Sequence, residues 1–224
     1  YETTPMGAVE TMMIDCAYNE IGKFLGMPTQ AYMSLSDAKL LDAQAGAETA
    51  MGATLASLAG INNISGPGML DFVLTFSLPK LIFDNEVCGQ SLHFVREIEV
   101  LNDLPTSDLV EDLMRDDHLI TSPHTLEQWP DQVYLTDNVI DRENRESWEK
   151  AGAKDLNQRA NDEVEERLAN YRPIETDPAI DEAMREIIKA GLESQEKLPV
   201  LPPLAEAAPL AARGRRKSRR RRRG

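Results

Sequence analysis

The chain has 224 residues, 42% of them hydrophobic and 28% charged, a balance ordinary for a globular protein that can bury a sizeable core. No apolar run approaches the roughly 20 residues of a membrane-spanning helix, and the start Tyr1-Glu2-Thr3-Thr4-Pro5 has neither a basic nor an apolar leader region, so a cytoplasmic location is expected. The net charge of −14 is uneven: nine of the 24 basic residues lie between Arg213 and Arg223, leaving 15 against 38 acidic, or −23, over residues 1–212, an acidic body that repels nucleic-acid phosphates and suits a cationic ligand.

In chain order, Val9, Met12, Met13, Cys16, Ile21, Phe24 and Leu25 recur at helical spacing and predict a helix over 9–25, ended by Gly26 and Pro28. Residues 27–35 read as a strand, being short and set between two helices. Residues 42–59 are dense in Ala and Gly, with Glu48 the only charge after Asp42; a helix so apolar must be covered on more than one face. Residues 61–64 predict a second strand, which ends in the turn Ser65-Gly66-Pro67-Gly68. Leu78, Leu81, Ile82, Cys88, Leu92 and Val95 continue as an amphipathic helix. The order helix, strand, helix, strand, helix predicts parallel strands with right-handed crossovers.

Beyond Val95 no strong strand pattern follows. Helices are predicted over 107–118, 143–152, 155–171 and 178–192, the last signalled by Thr176-Asp177-Pro178. Two parallel strands do not stand alone. The chain is therefore expected to be α/β, holding the last portion of a sheet or barrel (1–104), then a helical C-terminal region (105–197). A disordered Pro/Ala then Arg-rich tail (198–224) is expected to follow. A missing initiator Met fits a fragment. The tail is either a solvated segment brushing the acidic body or a nucleic-acid contact, and it lacks aromatic residues to stack on bases.

Cys16 and Cys88 each sit in a helical apolar pattern and read as buried free thiols. His118 and His124 lie six apart without a compelling third ligand, so no metal is expected. His124-Thr125 reads instead as a helix start, and His93 as structural. No catalytic triad can be assembled from local spacing.

The residues with chemical potential cluster after the first predicted strand. Ser36, Asp37 and Asp42 are either helix caps or carboxylates facing a pocket. Tyr32, Met33 and Met69 nearby suit either pocket walls or core. Gly66-Pro67-Gly68 is either a turn or a place where a large planar ligand approaches the backbone; it lacks the spacing of a phosphate loop. Glu48, alone in an apolar helix, needs a partner, a mouth or a raised pKa, and structural pairing is the simplest account. Asp84 and Glu86 read as a solvated helix face.

A colinear series of short motifs runs through the chain: Gly26-Met27-Pro28-Thr29, Ser36-Asp37-Ala38-Lys39, Asp42-Ala43-Gln44-Ala45-Gly46, Ala59-Gly60-Ile61-Asn62, Gly68-Met69-Leu70, Thr75-Phe76-Ser77, Asp84-Asn85-Glu86, His124-Thr125-Leu126-Glu127 and Trp148-Glu149-Lys150-Ala151-Gly152. In order and spacing it resembles the C-terminal half of the trimethylamine methyltransferase family, over residues 7–192. The resemblance implies a (β/α)8 barrel of which this chain supplies the last strands. It implies transfer of a methyl group from trimethylamine, or from a quaternary amine such as glycine betaine, to the Co(I) of a separate corrinoid protein. No cofactor is then bound directly, since the corrinoid is carried by the partner, and a homo-oligomer is expected.

With only standard residues, the chain resembles the branch without pyrrolysine. On this reading Ser36, Asp37, Asp42, Gln44 and Met69 are the candidate substrate-binding residues, Gly66 and Gly68 form the loop facing the corrinoid, and no catalytic residue is assigned. A quaternary ammonium has no N–H to donate, so its recognition must be electrostatic, with aromatic faces where available. The alternative is a barrel remnant without catalysis, acting as an assembly or binding module.

Overall fold

Residues 4–98, 100–101 and 106–192 are described by the computed structural model. The first helix, α1 (Val9–Phe24), ends where Gly26 takes φ +71. Of its predicted apolar stripe, Met12 is buried and Cys16 half-buried, against Ala31, Met33 and Ala56, whereas Met13, Ile21 and Phe24 are exposed. A stripe that includes adjacent positions is wider than one contact face, and only the Met12–Cys16 line, one helical turn apart, meets the next layer.

The strand β1 (Gln30–Ala31) pairs in parallel with β2 (Asn63–Ile64), Gln30 opposite Asn63 and Ala31 opposite Ile64. Parallel pairing follows the predicted order. The ladder is shorter than the predicted strand over 27–35, and on its C-terminal side Ser34, at φ 62, breaks the pleat. The chain nevertheless stays buried from Met33 to Ala38, as expected where layers cover both sides of a parallel segment. Between the two strands runs α2 (Ala43–Leu58), with Asp42 as its N-cap. Ala56 packs toward α1 and β1, and Ala53 toward the next helix, so the small residues are what let α2 sit between two layers.

One element escaped the sequence reading. After Gly68, β3 (Met69–Leu70) and β4 (Thr75–Phe76) form an antiparallel hairpin, Met69 opposite Phe76 and Leu70 opposite Thr75. Its turn holds Asp71, Phe72 and Val73 at φ 51, 57 and 70, three successive left-handed residues without a glycine, and so it carries none of the usual hairpin signals.

Next comes α3 (Leu78–Phe94), capped by the Ser77 hydroxyl, which accepts from the Lys80 N–H. Its buried line includes Lys80, Asp84, Val87 and Ser91, at intervals of four, three and four. Ile82, Phe83 and Val87 meet Ala53 of α2 and Val139. Four helices follow in order: α4 (Ser107–Asp116), α5 (Pro123–Gln132) capped by Ser122, α6 (Arg145–Lys150) capped by Asn144, and α7 (Leu156–Asn170), whose Ala160 joins the same core. The last, α8 (Pro178–Ala190), begins at the Asp177 cap, as predicted.

The architecture is thus α/β and mostly helical, with few and short strands. Two compact units are distinguished, one up to Val164 and one from Glu165. In the second, Asp181 and Arg185 pair at 2.6 Å along α8. Among the described residues no helix is long and apolar enough to cross a membrane. The predicted boundary at 104/105 and the tail over 198–224 fall outside the described residues.

Gly66 is buried where the chain after β2 crosses the Met33–Leu35 segment. A Cβ there would stand 2.1 Å from the Met33 carbonyl oxygen and 3.0 Å from Leu35 Cβ. Backbone cannot yield as a flexible side chain does. Gly66→Ala is therefore expected to cost roughly 3 kcal/mol, read as a lower urea midpoint with an unchanged slope.

Candidate functional site

Where the chain leaves β1, the segment Ser36–Lys39 is held from three directions. The Ser36 N–H donates to the Met69 carbonyl (3.1 Å), and the Asp71 N–H donates to the Ala38 carbonyl (2.9 Å), which fastens the β3–β4 hairpin alongside. From α2, Glu48 Oε2 accepts from Ser36 Oγ (2.6 Å) and the Asp37 N–H (2.8 Å), while Oε1 accepts from Gln44 Nε2 (2.8 Å). From the N-terminal side, the Gly7 N–H donates to Asp37 Oδ2 (3.0 Å). Glu48 is thus a positioning carboxylate with its partners satisfied, in agreement with the pairing expected of it.

Asp37 differs. It is only 7% exposed, and its Oδ1 is buried with no hydrogen-bonding partner among the described residues. Burial pushes its carboxyl above the ordinary value of 3.8 and Glu48 pushes the same way, while the Gly7 and Met6 N–H groups and the Lys39 ammonium oppose them. Asp37 lines a cleft of about 610 Å³ together with Glu10, Lys39, Asp42, Gln44 and Phe72. Three carboxylates face one ammonium there, so the cleft favours a positively charged guest.

Of the candidate substrate residues, Asp37, Asp42 and Gln44 come together in this cleft, and Ser36 lies buried beneath it as the hydroxyl that links Glu48 to the Ala38 N–H. Asp42 is also the cap of α2, accepting from the Gln44 and Ala45 N–H groups, in addition to lining the cleft. Met69 contributes its carbonyl to Ser36 and is not among the residues lining the cleft. Met33 is core, 1% exposed. Gly66 and Gly68 are both buried. Gly68 takes φ +85, a conformation that excludes most side chains, and its N–H donates to Asp84 Oδ2 (2.7 Å).

The solvated face expected of Asp84 and Glu86 is overturned. Asp84 is fully buried, and Glu86 is 5% exposed, with Oε2 accepting from the Asp137 N–H (3.3 Å) and the Tyr134 hydroxyl (3.5 Å). The residues after Gln132 fold back over Glu86, while the Gly68 turn and Thr49 of α2 cover Asp84, non-local contacts that local polarity could not reveal. Asp84 pairs at 2.5 Å with Lys80, which is also fully buried and donates to Thr49 Oγ1 (2.9 Å). Burial pushes the Asp84 carboxyl up and the Lys80 ammonium down, and each charge opposes the shift of the other. Sequence reasoning passed over Lys80. The signal available was its place on the line Lys80-Asp84-Val87-Ser91, a helical stripe whose other half is core.

Both cysteines are free and half-buried, not fully buried as expected, and burial raises both thiols, which makes neither a ready nucleophile. Cys88 Sγ lies 3.5 Å from Ser34 Oγ. Among the described residues no group of three or more His, Cys, Asp or Glu side chains could hold a metal ion.

Fold and site together define an α/β protein with an anionic cleft, bearing one aromatic ring, just beyond the end of a parallel strand. The profile of the family described as trimethylamine methyltransferase matches residues 3–194, and the chain belongs to that family. It is 31% identical over 187 residues to a trimethylamine methyltransferase of Desulfitobacterium hafniense DCB-2, covering 84% of this chain and 37% of that protein. It is 30% identical over 184 residues to the glycine betaine methyltransferase of Desulfitobacterium hafniense Y51, covering 82% and 38%. A trimethylamine methyltransferase of Methanosarcina barkeri is 31% identical over 188 residues, covering 83% and 37%. The chain spans little more than a third of the length of these relatives.

Proposed function

We propose that this chain forms part of a methyltransferase that moves a methyl group from a methylated amine to the Co(I) of a corrinoid protein, acting in the cytoplasm as a homo-oligomer. In this reading β1, β2 and their helices are the last units of a (β/α)8 barrel, followed by a helical C-terminal appendage. Parallel pairing with a cleft just beyond the end of β1 supports that architecture, since barrel sites form at the C-terminal ends of strands.

The observation that carries the proposal is the Asp37 carboxylate, nearly buried, with one oxygen unpartnered, lining a cleft with a net excess of carboxylates and the Phe72 ring. With three carboxylates against the one Lys39 ammonium, a methylated ammonium adds the positive charge that the cleft is short of, and it needs no donor hydrogen to be recognised. Ser36, Glu48 and Gly7 fix the Asp37 backbone and carboxyl, so the negative charge is in place before the ligand arrives. A quaternary amine is already an activated methyl donor, with a neutral amine as leaving group. The acceptor, a corrinoid carried by the partner protein, supplies the nucleophile. The task of this chain is to orient the ammonium and keep its charge compensated.

The test is optical. The protein in its full gene-encoded length is mixed with a reduced corrinoid protein and a panel of methylated amines, and conversion of Co(I) to methyl-Co(III) is followed. Conversion with one amine of the panel is the expected result. No conversion with any amine, given a corrinoid partner shown to be active, overturns the reading in favour of an assembly module.

A further inference from the structure

The cleft already contains an ammonium group, and it belongs to the chain itself. Lys39 Nζ lies 4.0 Å from the centre of the Phe72 ring, 3.4 Å from Asp71 Oδ1 and 2.8 Å from the Asp37 carbonyl oxygen, to which it donates. An aromatic face, a carboxylate and a carbonyl thus converge on one point from two separate segments of the chain. Each is an attractive partner for a cation, and the Asp37 carboxylate, on which the Lys39 charge also acts, adds to the same field.

The seat rests on unusual backbone. Asp71, Phe72 and Val73 are all left-handed, a conformation that is unfavourable for each residue with a side chain and is rarely sustained over three. Val73 is β-branched, for which positive φ is least favourable. Two hydrogen bonds hold the turn, the Asp71 N–H to the Ala38 carbonyl and the Leu74 N–H to the Asp71 carbonyl, both 2.9 Å. The first of them ties the turn to the segment that carries Lys39. Strain kept in place by tethers at the edge of a cleft marks a ligand clamp more readily than a plain connection.

We infer that Phe72, Asp71 and the Asp37 carbonyl form a seat for a methylated ammonium group, and that Lys39 is a built-in occupant which the ligand displaces. The inference rests on the reading of this cleft as an ammonium site and adds to it a specific subsite and a competing side chain. Lys39 suits such exchange: its side chain is 60% exposed, so it can swing into solvent, where exposed ion pairs and cation–π contacts are each weak. The ligand gains what Lys39 gives up, and affinity is set by the difference between the two occupants. Lys39 also raises selectivity, because a weakly charged or neutral ligand cannot dislodge it.

The test uses tetramethylammonium chloride as the probe and isothermal titration or ligand-observed NMR as the readout, which needs no corrinoid protein. Lys39→Gln is expected to tighten probe binding about tenfold, the scale of one exposed ion pair plus one cation–π contact. The gain is expected to persist in Lys39→Gln with Phe72→Tyr, which keeps a ring, and to vanish with Phe72→Leu. Unchanged or weaker binding in Lys39→Gln overturns the inference, as does a gain that survives Phe72→Leu, which would be only a change in net charge. Absence of probe binding to every variant overturns it as well. The two readings fail separately. A tighter Lys39→Gln variant with no methyl transfer to any corrinoid protein leaves the seat standing and removes the reaction, whereas methyl transfer with no Lys39 effect does the reverse.

Discussion

Lys80→Met is expected to lower the unfolding free energy by about 3–5 kcal/mol, the scale of breaking a buried ion pair by removing one partner. The change leaves the fully buried Asp84 carboxylate with the Gly68 N–H and the Thr49 hydroxyl as neutral donors and no compensating charge. Adding Asp84→Asn should recover much of the loss, because Asn keeps an oxygen for Gly68 and carries no charge. The sign with pH follows from the direction of the shift. Burial already raises the Asp84 carboxyl above 3.8, and without the Lys80 charge only the Gly68 and Thr49 hydrogen bonds oppose it, so the rise is larger. A carboxyl with a raised folded-state pKa contributes stability that is full below its ordinary value and lost as pH rises through the elevated one. The Lys80→Met defect should therefore be larger at neutral pH than in mild acid. Urea unfolding of the single and double variants at both pH values checks this, and equal defects at the two pH values would count against a charged Asp84 as the cause.

Asp37→Asn is expected to lower kcat/KM for the methylated amine between about 10- and 100-fold, with most of the change in KM. The reason lies in where the charge goes. In the proposed reaction the ammonium is fully positive when bound and becomes a neutral amine as the methyl group leaves, so a nearby carboxylate would stabilise the bound ground state at least as much as the transition state. Stability should move little and in the other direction. Asp37 is raised above 3.8 by burial and by Glu48, so its contribution to stability is lost as pH rises through that elevated value, and Asn, which mimics the neutral acid, escapes the loss. At neutral pH the variant should be as stable as the parent or slightly more so. Steady-state kinetics with thermal unfolding on the same samples test both halves. A fall confined to kcat would place Asp37 at the transition state instead.

Much of the architecture is legible in local pattern. The helices α1, α2, α3, α7 and α8 fall within two or three residues of their predicted limits, because each has either a clear apolar spacing or a capping residue in the right place. The Asp42 cap and the Asp177-Pro178 start are examples. The parallel order of β1 and β2 follows from alternation of elements. The β3–β4 hairpin was hidden because its turn uses three left-handed residues with side chains, where the usual signal is glycine or asparagine.

By itself, the sequence determined the family, the acidic character of the body and the cluster Ser36-Asp37-Asp42-Gln44 as the place to look for a cation. These depend on residue identity and on order along the chain. The tertiary structure alone decided that Asp84 is a buried ion-pair partner and not a solvated side chain, that Asp37 has an oxygen without a partner, and that Lys39 meets Phe72. Each of those facts joins segments far apart in sequence, or depends on what covers a helix face. Burial changes the energy of a charge by more than any local propensity does, and it is set by which distant segments pack over the side chain.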